Sequence, residues 1–411
     1  MPVRLTAILF PLALVLVLPA RAAAETLLVP QVHATIQAAV DAAADGDTIQ
    51  VKGGTYPEAV LVSGKTNLVL TGKGKVVIDP PDGQAGLTLQ GCTGCTVEKI
   101  RVLGGQPFGF LLDGCTGGTL LKCRTEASSG DGIRLDDCDG VTIFLCTVKS
   151  AGGDGISLSG GAATPTDNCS VRENKVFTAG EDAVVVNGVS NMVNFNLAHK
   201  PLGRGFVVDD TTPGSLDYFV SNTIVKPALD GVVLTGSGNA CSGNKVTGSG
   251  GNGVSVSGDS HNIIGNKFVK PALDGIFCAP GSSTCFVNGN TITKPGDDGI
   301  DVEGDDADMP SNDVKTPGDN GWEMQGTLNR IEFSTVTAAG RNGFELNGTG
   351  GHCIGSTATG SKDDGFELGA GSSGITLNGD KAKGSKGFDL NDLSGGANTI
   401  EDTNEFKTTS P

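Results

Sequence analysis

The chain has 411 residues, 64 of them glycine, with 5% aromatic residues and a formal net charge of −17. Abundant glycine beside ample Val, Ile and Leu excludes a disordered chain and suits one that turns often around a narrow core. The negative total excludes nucleic acid as an expected partner, because a phosphate backbone would be repelled.

In chain order, residues 1–24 read as an export signal. Arg4 supplies the positive start, residues 5–18 form an apolar run interrupted by Pro11, and Ala20-Arg21-Ala22 or Ala22-Ala23-Ala24 fits a small-residue cleavage site. The run is short for a bilayer span, which needs about 20 residues, and no later stretch is apolar enough to cross. The expectation is a secreted, periplasmic or cell-surface protein with no membrane insertion after signal removal. Residues 25–411 are expected to form one domain, of open oligomeric state.

Ile36, Ala39, Val40 and Ala43 recur at helical spacing, which predicts a short amphipathic helix over residues 35–44. Asp45-Gly46-Asp47 ends it, and residues 48–51 begin the first strand. In a fold of stacked repeats the terminal repeat needs a cover, and this helix is placed to cap it.

Beyond it a Gly-apolar-x-apolar unit repeats: Gly86-Leu-Thr-Leu89, Gly109-Phe-Leu-Leu112, Gly132-Ile-Arg-Leu135, Gly155-Ile-Ser-Leu158, and on to Gly387, with Ala183 replacing glycine once. The period is about 22 residues, the alternation is that of a strand, and the apolar positions face inward. A second column stands nine residues before the glycine: Asn174, Asn196, Asn222, Asn244, Asn266, Asn290 and Asn312, then Ser334, Ser356, Asn378 and Asn404. Asn tolerates the left-handed backbone of a sharp turn, and stacked amides can bond from coil to coil. These columns predict an all-β, right-handed, single-stranded parallel β-helix of about fourteen coils, a rod about 65 Å long.

Eleven cysteines in an exported chain point to disulfides. Cys92, Cys115 and Cys138 recur at intervals of 23, as do Cys123 and Cys146, so they stack one coil apart, within disulfide reach. A stack of buried thiols is an equally good core. Cys278–Cys285 is the first candidate bridge. Zinc is disfavoured because Cys92-Thr-Gly-Cys95 lacks a second ligand pair.

The segment at residues 34–56, with the Asn-x-apolar and Gly-apolar-x-apolar columns, resembles the N-terminal cap and repeat of the pectin-lyase-like parallel β-helix superfamily. The resemblance covers about residues 30–407. It implies the fold and work on long polysaccharides along one flank of the rod. Its members include lyases, hydrolases, esterases, epimerases and non-enzymatic binders, so it does not choose a reaction. The motifs of the polygalacturonase-like and alginate-epimerase-like members are incomplete here. Asp297-Asp298 and Asp363-Asp364 read as turn residues, and His261 as part of a surface loop.

Three surface features remain. Just before the turn glycine stand Asp182, Arg204 and Asp230, and Lys226 belongs to a series of Lys-Pro pairs. A lyase needs a base and a cation to neutralise the substrate carboxylate, so Arg204, Asp182, Asp230 and Lys226 are the candidates for catalysis; an ion-pair ladder is the structural alternative. Two residues after the glycine, Asp301, Glu323, Glu345, Glu367 and Asp389 form an acidic stripe fit for calcium through oxygen ligands. The same column upstream holds Val185, Val207 and Val233, an apolar patch for substrate or a partner, with the insertion at residues 160–165 as its alternative cover. One tryptophan and two tyrosines are a poor stock for sugar stacking, and Trp322 belongs to the core. The expected function is binding of a polysaccharide or surface partner along the flank. The alternative is a lyase or epimerase acting on acidic glycans.

Overall fold

The computed structural model describes residues 23–160, 165–209 and 216–410. The proposed signal segment lies almost wholly outside the described residues, as does most of the 160–165 insertion. No helix of the described residues is long and apolar enough to cross a membrane.

Each coil contributes one strand to a narrow sheet of fifteen strands, from Val60–Ser63 to Leu390–Asp392, and in most coils two strands to a broad sheet of twenty-nine. Every pairing is parallel and, apart from irregularities between Lys52 and Gly54 and between Thr71 and Val76 in the first coils, in register, as in Val232↔Val254↔Ile276↔Ile300. The chain winds through about sixteen turns rather than fourteen. The glycine column misses the coil at Val60, where Ala59 stands in place of glycine, and the opening strand Thr26–Val29, which lies before the first narrow-sheet strand.

A helix spans Ile36–Ala42, with Ile36, Ala39 and Val40 buried against the first strands. Its free N–H groups are satisfied by the Thr35 hydroxyl (3.0 Å from Ala38 N) and by the Glu58 carboxylate, 2.8 and 2.9 Å from the amides of Ile36 and Gln37.

The inward residues of both sheets form one continuous core. In its last third Trp322, Phe344 and Phe366 stack coil upon coil, with centroids 6.3 and 4.7 Å apart, and Phe406 lies at 5.3 Å from Phe366. The glycine column is steric. At Gly231 a Cβ would stand 2.4 Å from Val246 Cγ1 and 2.5 Å from the Gly253 carbonyl oxygen. At this coil the turn leaves no room for a side chain, although Ala59, Ala183 and Asp389 stand at the same position in other coils.

The asparagine column is a hydrogen-bonded ladder. From Asn174 to Asn312 each backbone N–H donates to the Oδ1 of the next coil's asparagine at 2.8–3.0 Å. Each Nδ2 donates to a strand carbonyl of the coil before at 2.7–2.9 Å. The asparagines do not take the left-handed turn. The residue before each does, as in Phe195 (φ 56°) and Ser221 (φ 54°), which leaves the amide free to bridge coils.

Cys123 and Cys146 occupy the start of this same column. Their thiols donate to the carbonyls of Val97 and Leu120 at 3.4 and 3.5 Å, and Cys146 N donates to Asn174 Oδ1. All eleven cysteines are buried and unbridged, the candidate pair Cys278 and Cys285 included.

At the far end the expected register shifts. Asp380, not Asn378, follows Ser356, accepting its N–H at 2.7 Å, and Asn404 follows in turn. One cause explains both this and the fate of Asp389. The last coil has two extra residues, so Asp389, not Gly387, stands in the glycine column beside Gly365.

The ladder yields a direct prediction. Asn244→Ala leaves the Asn222 N–H and the Phe219 carbonyl buried without their partner, a loss of about 3 kcal/mol in urea unfolding. Lys245→Ala, one residue on and exposed, should stay within about 0.5 kcal/mol of the parent.

Candidate functional site

The residues singled out from the sequence lie along the flank of the narrow sheet, and the structure sorts them. The column holding Asp182, Arg204 and Asp230 is a second ladder, running opposite to the first. Each coil's N–H donates back to the side chain of the coil before: Asp154 to Asp131, Asp182 to Asp154, Arg204 to Asp182, at 2.6–3.0 Å. After the interruption at Arg204 it resumes from Asp230 through Asn252, Asp274, Asp298, Asn320 and Asn342 to Asp364. One oxygen of each carboxylate is thus committed to backbone, and the other is available for chemistry.

What that second oxygen meets differs from coil to coil. Asp182 Oδ2 accepts from Arg204 Nη2 at 2.8 Å and Nε at 3.1 Å, a two-pronged pair. Asp230 Oδ2 accepts from Ser255 Oγ at 3.0 Å. Among the described residues Arg204 therefore pairs with Asp182 and not with Asp230. Lys226 is not brought to them: it sits in a left-handed turn (φ 53°) after a broad-sheet strand and forms no ion pair among the described residues.

Arg204 lines an open cleft of about 460 Å³ with Glu181, Asp182, Leu202 and Leu229. Leu202 and Leu229 are 67% and 54% exposed, so a fixed guanidinium–carboxylate pair lies between two solvent-facing apolar walls. Leu229 recurs as Leu273 in a second Lys-Pro-Ala-Leu-Asp-Gly turn, whereas Leu202 stands one residue further from its glycine, so no continuous column marked the cleft.

The apolar patch is smaller than expected. Val185, Val207 and Val233 are register partners, but Val207 has no exposed surface and the other two are half-buried. Val207 offers nothing for a ligand to touch.

The acidic stripe is confined to Asp301, Glu323, Glu345 and Glu367, successive partners on the narrow sheet. Asn391, not Asp389, pairs with Glu367. Asp389 turns inward instead, its Oδ2 accepting from Lys407 N at 2.9 Å, and leaves the proposed metal set. Arg341 offsets part of the stripe, 2.9 Å from Glu345.

Negative charge concentrates at the stripe's upper end. One carboxylate oxygen each from Asp274, Asp297 and Asp298 lies within 4.8 Å of the others, a set that can hold a metal ion. Burial is the first cause, and neighbouring carboxylates a further one, of raised acidities here: Asp274 to about 6, Asp301 to about 7 and Asp298 to about 9. Asp154, likewise buried in the ladder, is raised to about 7. Reading Asp297-Asp298 as turn residues was right about the backbone and missed the grouping with Asp274, 24 residues earlier than Asp298. His261 is not on a surface loop. It is fully buried, its Nε2 3.2 Å from the Ser257 carbonyl, and burial lowers its pKa.

The family described as "Right handed beta helix region" matches residues 58–198 and 214–382. No curated protein sequence matches the chain. Among solved structures, the tailspike protein of E. coli bacteriophage HK620 is similar with a TM-score of 0.52 at 10% identity, over 82% of this chain and 69% of that one. The mannuronan C-5 epimerase AlgE6 A-module of Azotobacter vinelandii gives 0.44 at 18% identity, over 92% and 94%. The catalytic domain of a GH87 α-1,3-glucanase in complex with nigerose gives 0.47 at 13%, over 92% and 68%.

The raised carboxyls make stability fall with pH. Folded Asp274, Asp301 and Asp298 hold protons that the unfolded chain, at about 3.9, has already released. Their contribution is complete below about pH 4 and is lost as pH rises towards 9. Thermal melting in chelator should show this decline, Asp298→Asn should flatten it, and calcium should raise the melting temperature most at the alkaline end.

Proposed function

The chain belongs to the right-handed β-helix family, and from that premise we propose that it binds a polysaccharide along the flank of its narrow sheet, with the Arg204 cleft as the contact point. The observation that carries this reading is the Arg204–Asp182 pair set between exposed Leu202 and Leu229. A sugar ring has an apolar C–H face and a rim of hydroxyls. The leucines suit the face, and the held guanidinium with the carboxylates of Asp182 and Glu181 suits the rim. Calcium at Asp274, Asp297 and Asp298, next to Asp301 and the stripe through Glu323, Glu345 and Glu367, would supply a cationic contact for an acidic sugar. Export through the N-terminal segment and a capping role for the helix at Ile36–Ala42 complete the reading.

A second reading, an enzyme acting on acidic glycans as a lyase or epimerase, draws on Asp298. A carboxyl that keeps its proton at neutral pH beside other carboxylates has the character of a general acid.

Affinity electrophoresis against neutral glucans and polyuronates tests both. The binding reading expects retardation by at least one glycan and about tenfold weaker retention in Arg204→Ala, with the fold intact by circular dichroism. No retardation by any glycan would overturn it. Appearance of unsaturated or shortened product, abolished in Asp298→Asn, would establish the enzyme instead.

A further inference from the structure

The negative total conceals a face of the opposite sign. In six consecutive coils, the broad-sheet strands and their turns between residues 170 and 294 carry eight Lys and Arg against one acid, Glu173. All eight cations are exposed, and none forms an ion pair among the described residues. The rest of the chain is correspondingly more acidic than its −17 total.

These cations stand in rows along the rod. Lys175, Lys245 and Lys267 share one register column of the broad sheet. Lys200, Lys226, Lys270 and Lys294 share the turn that follows the same strands. The rows are three residues apart, about 10 Å. Between them runs the outward column Phe177↔His199↔Val225↔Thr247↔Val269↔Thr293. Phe177 and His199 lie with ring centroids 6.2 Å apart, so the strip offers apolar surface from Phe177, Val225 and Val269, interleaved with His199, Thr247 and Thr293, and has cations on both sides.

The turn row is kept against a conformational cost. Its four lysines have φ between 53° and 55°, in the left-handed region. Sister coils place Gly248 and Gly360 there, but also Thr178, Thr316 and Ala338; glycine alone adopts this backbone without penalty. A lysine instead costs about 1 kcal/mol per turn, and none of the four returns that through an ion pair.

We propose that this face docks a linear polyanionic glycan, laid parallel to the rod axis with its rings over the apolar strip and its charges between the two lysine rows. The spacing suits it. A polyuronate carries one charge per sugar, and each sugar advances roughly as far as the 4.8 Å between coils, where the face presents about one cation. Nucleic acid is more densely charged and would be repelled by the acidic remainder of the rod. The turn row adjoins the Arg204 cleft, Lys200 standing two residues before Leu202 and Lys226 three before Leu229, but the inference does not rest on ligand binding in the cleft.

The test is biolayer interferometry of the full chain with polygalacturonate as probe, and with neutral dextran and a single-stranded oligonucleotide alongside. Polygalacturonate should bind, more weakly as salt rises. The variant Lys226→Glu/Lys245→Glu/Lys267→Glu/Lys270→Glu should weaken it at least tenfold, and Lys75→Glu, at an exposed lysine of the first coils outside this face, should leave it unchanged. The milder Lys245→Gln/Lys267→Gln, at an unaltered melting temperature, should weaken it at least threefold and guards against misfolding of the fourfold variant. Undiminished binding by the charge-reversed protein, or no binding by the parent, overturns the proposal. Tighter binding of the oligonucleotide than of polygalacturonate overturns the glycan as occupant.

Discussion

Everything on this rod depends on backbone hydrogen bonds made in register between coils, with buried side chains bonding across the same gap. A tight turn between strands leaves N–H and carbonyl groups facing the adjoining coil, and burial makes any unpaired one expensive. Asn174 through Asn312 meet that demand with an amide that both donates and accepts. The column is defined by the demand and not by the residue type. Thiols at Cys123 and Cys146, hydroxyls at Ser334 and Ser356 and the carboxyl of Asp380 fill it elsewhere. The same requirement explains why stacked cysteines in this chain need not be disulfides.

The second ladder changes how the flank is understood. Its carboxylates would look like a catalytic row if only their charge were considered, yet each gives one oxygen to the following coil's backbone. Chemistry is left to the second oxygen. Where a cation or hydroxyl meets it, as at Asp182 and Asp230, a structural contact results. Where like charges and burial surround it, as at Asp274 and Asp298, the carboxyl is driven to hold its proton. One column thus scaffolds the turn and sets the acidity of the surface beside it.

The repeat was legible because its causes are local and periodic. Glycine marks where two backbones approach, and asparagine marks the buried polar column. What failed to show did so for identifiable reasons. Gly387 imitates the glycine spacing while its coil holds two extra residues, which displaced Asp389 and Asn378 from the columns assigned to them. Val207 alternates outward on the strand but is covered there. Leu229 recurs only at Leu273 and Leu202 is offset by one residue from them, so the cleft had no continuous signature. The lysine rows were visible as Lys-Pro pairs, but a net charge cannot say where its minority sign is gathered. A low aromatic content likewise concealed that Phe177 shares a column with His199 and a face with Lys175 and Lys200.

The ladder's coupling tests the account most directly. A double-mutant cycle on Asn222→Ala and Asn244→Ala, followed by urea unfolding, should give an interaction energy of about 1 kcal/mol or more, since the Asn222 amide and Asn244 Oδ1 share a bond. Asn222→Ala with Asn312→Ala, four coils apart, should be additive within about 0.5 kcal/mol. Additivity in the neighbouring pair would contradict in-register stacking, and with it every surface column built upon it.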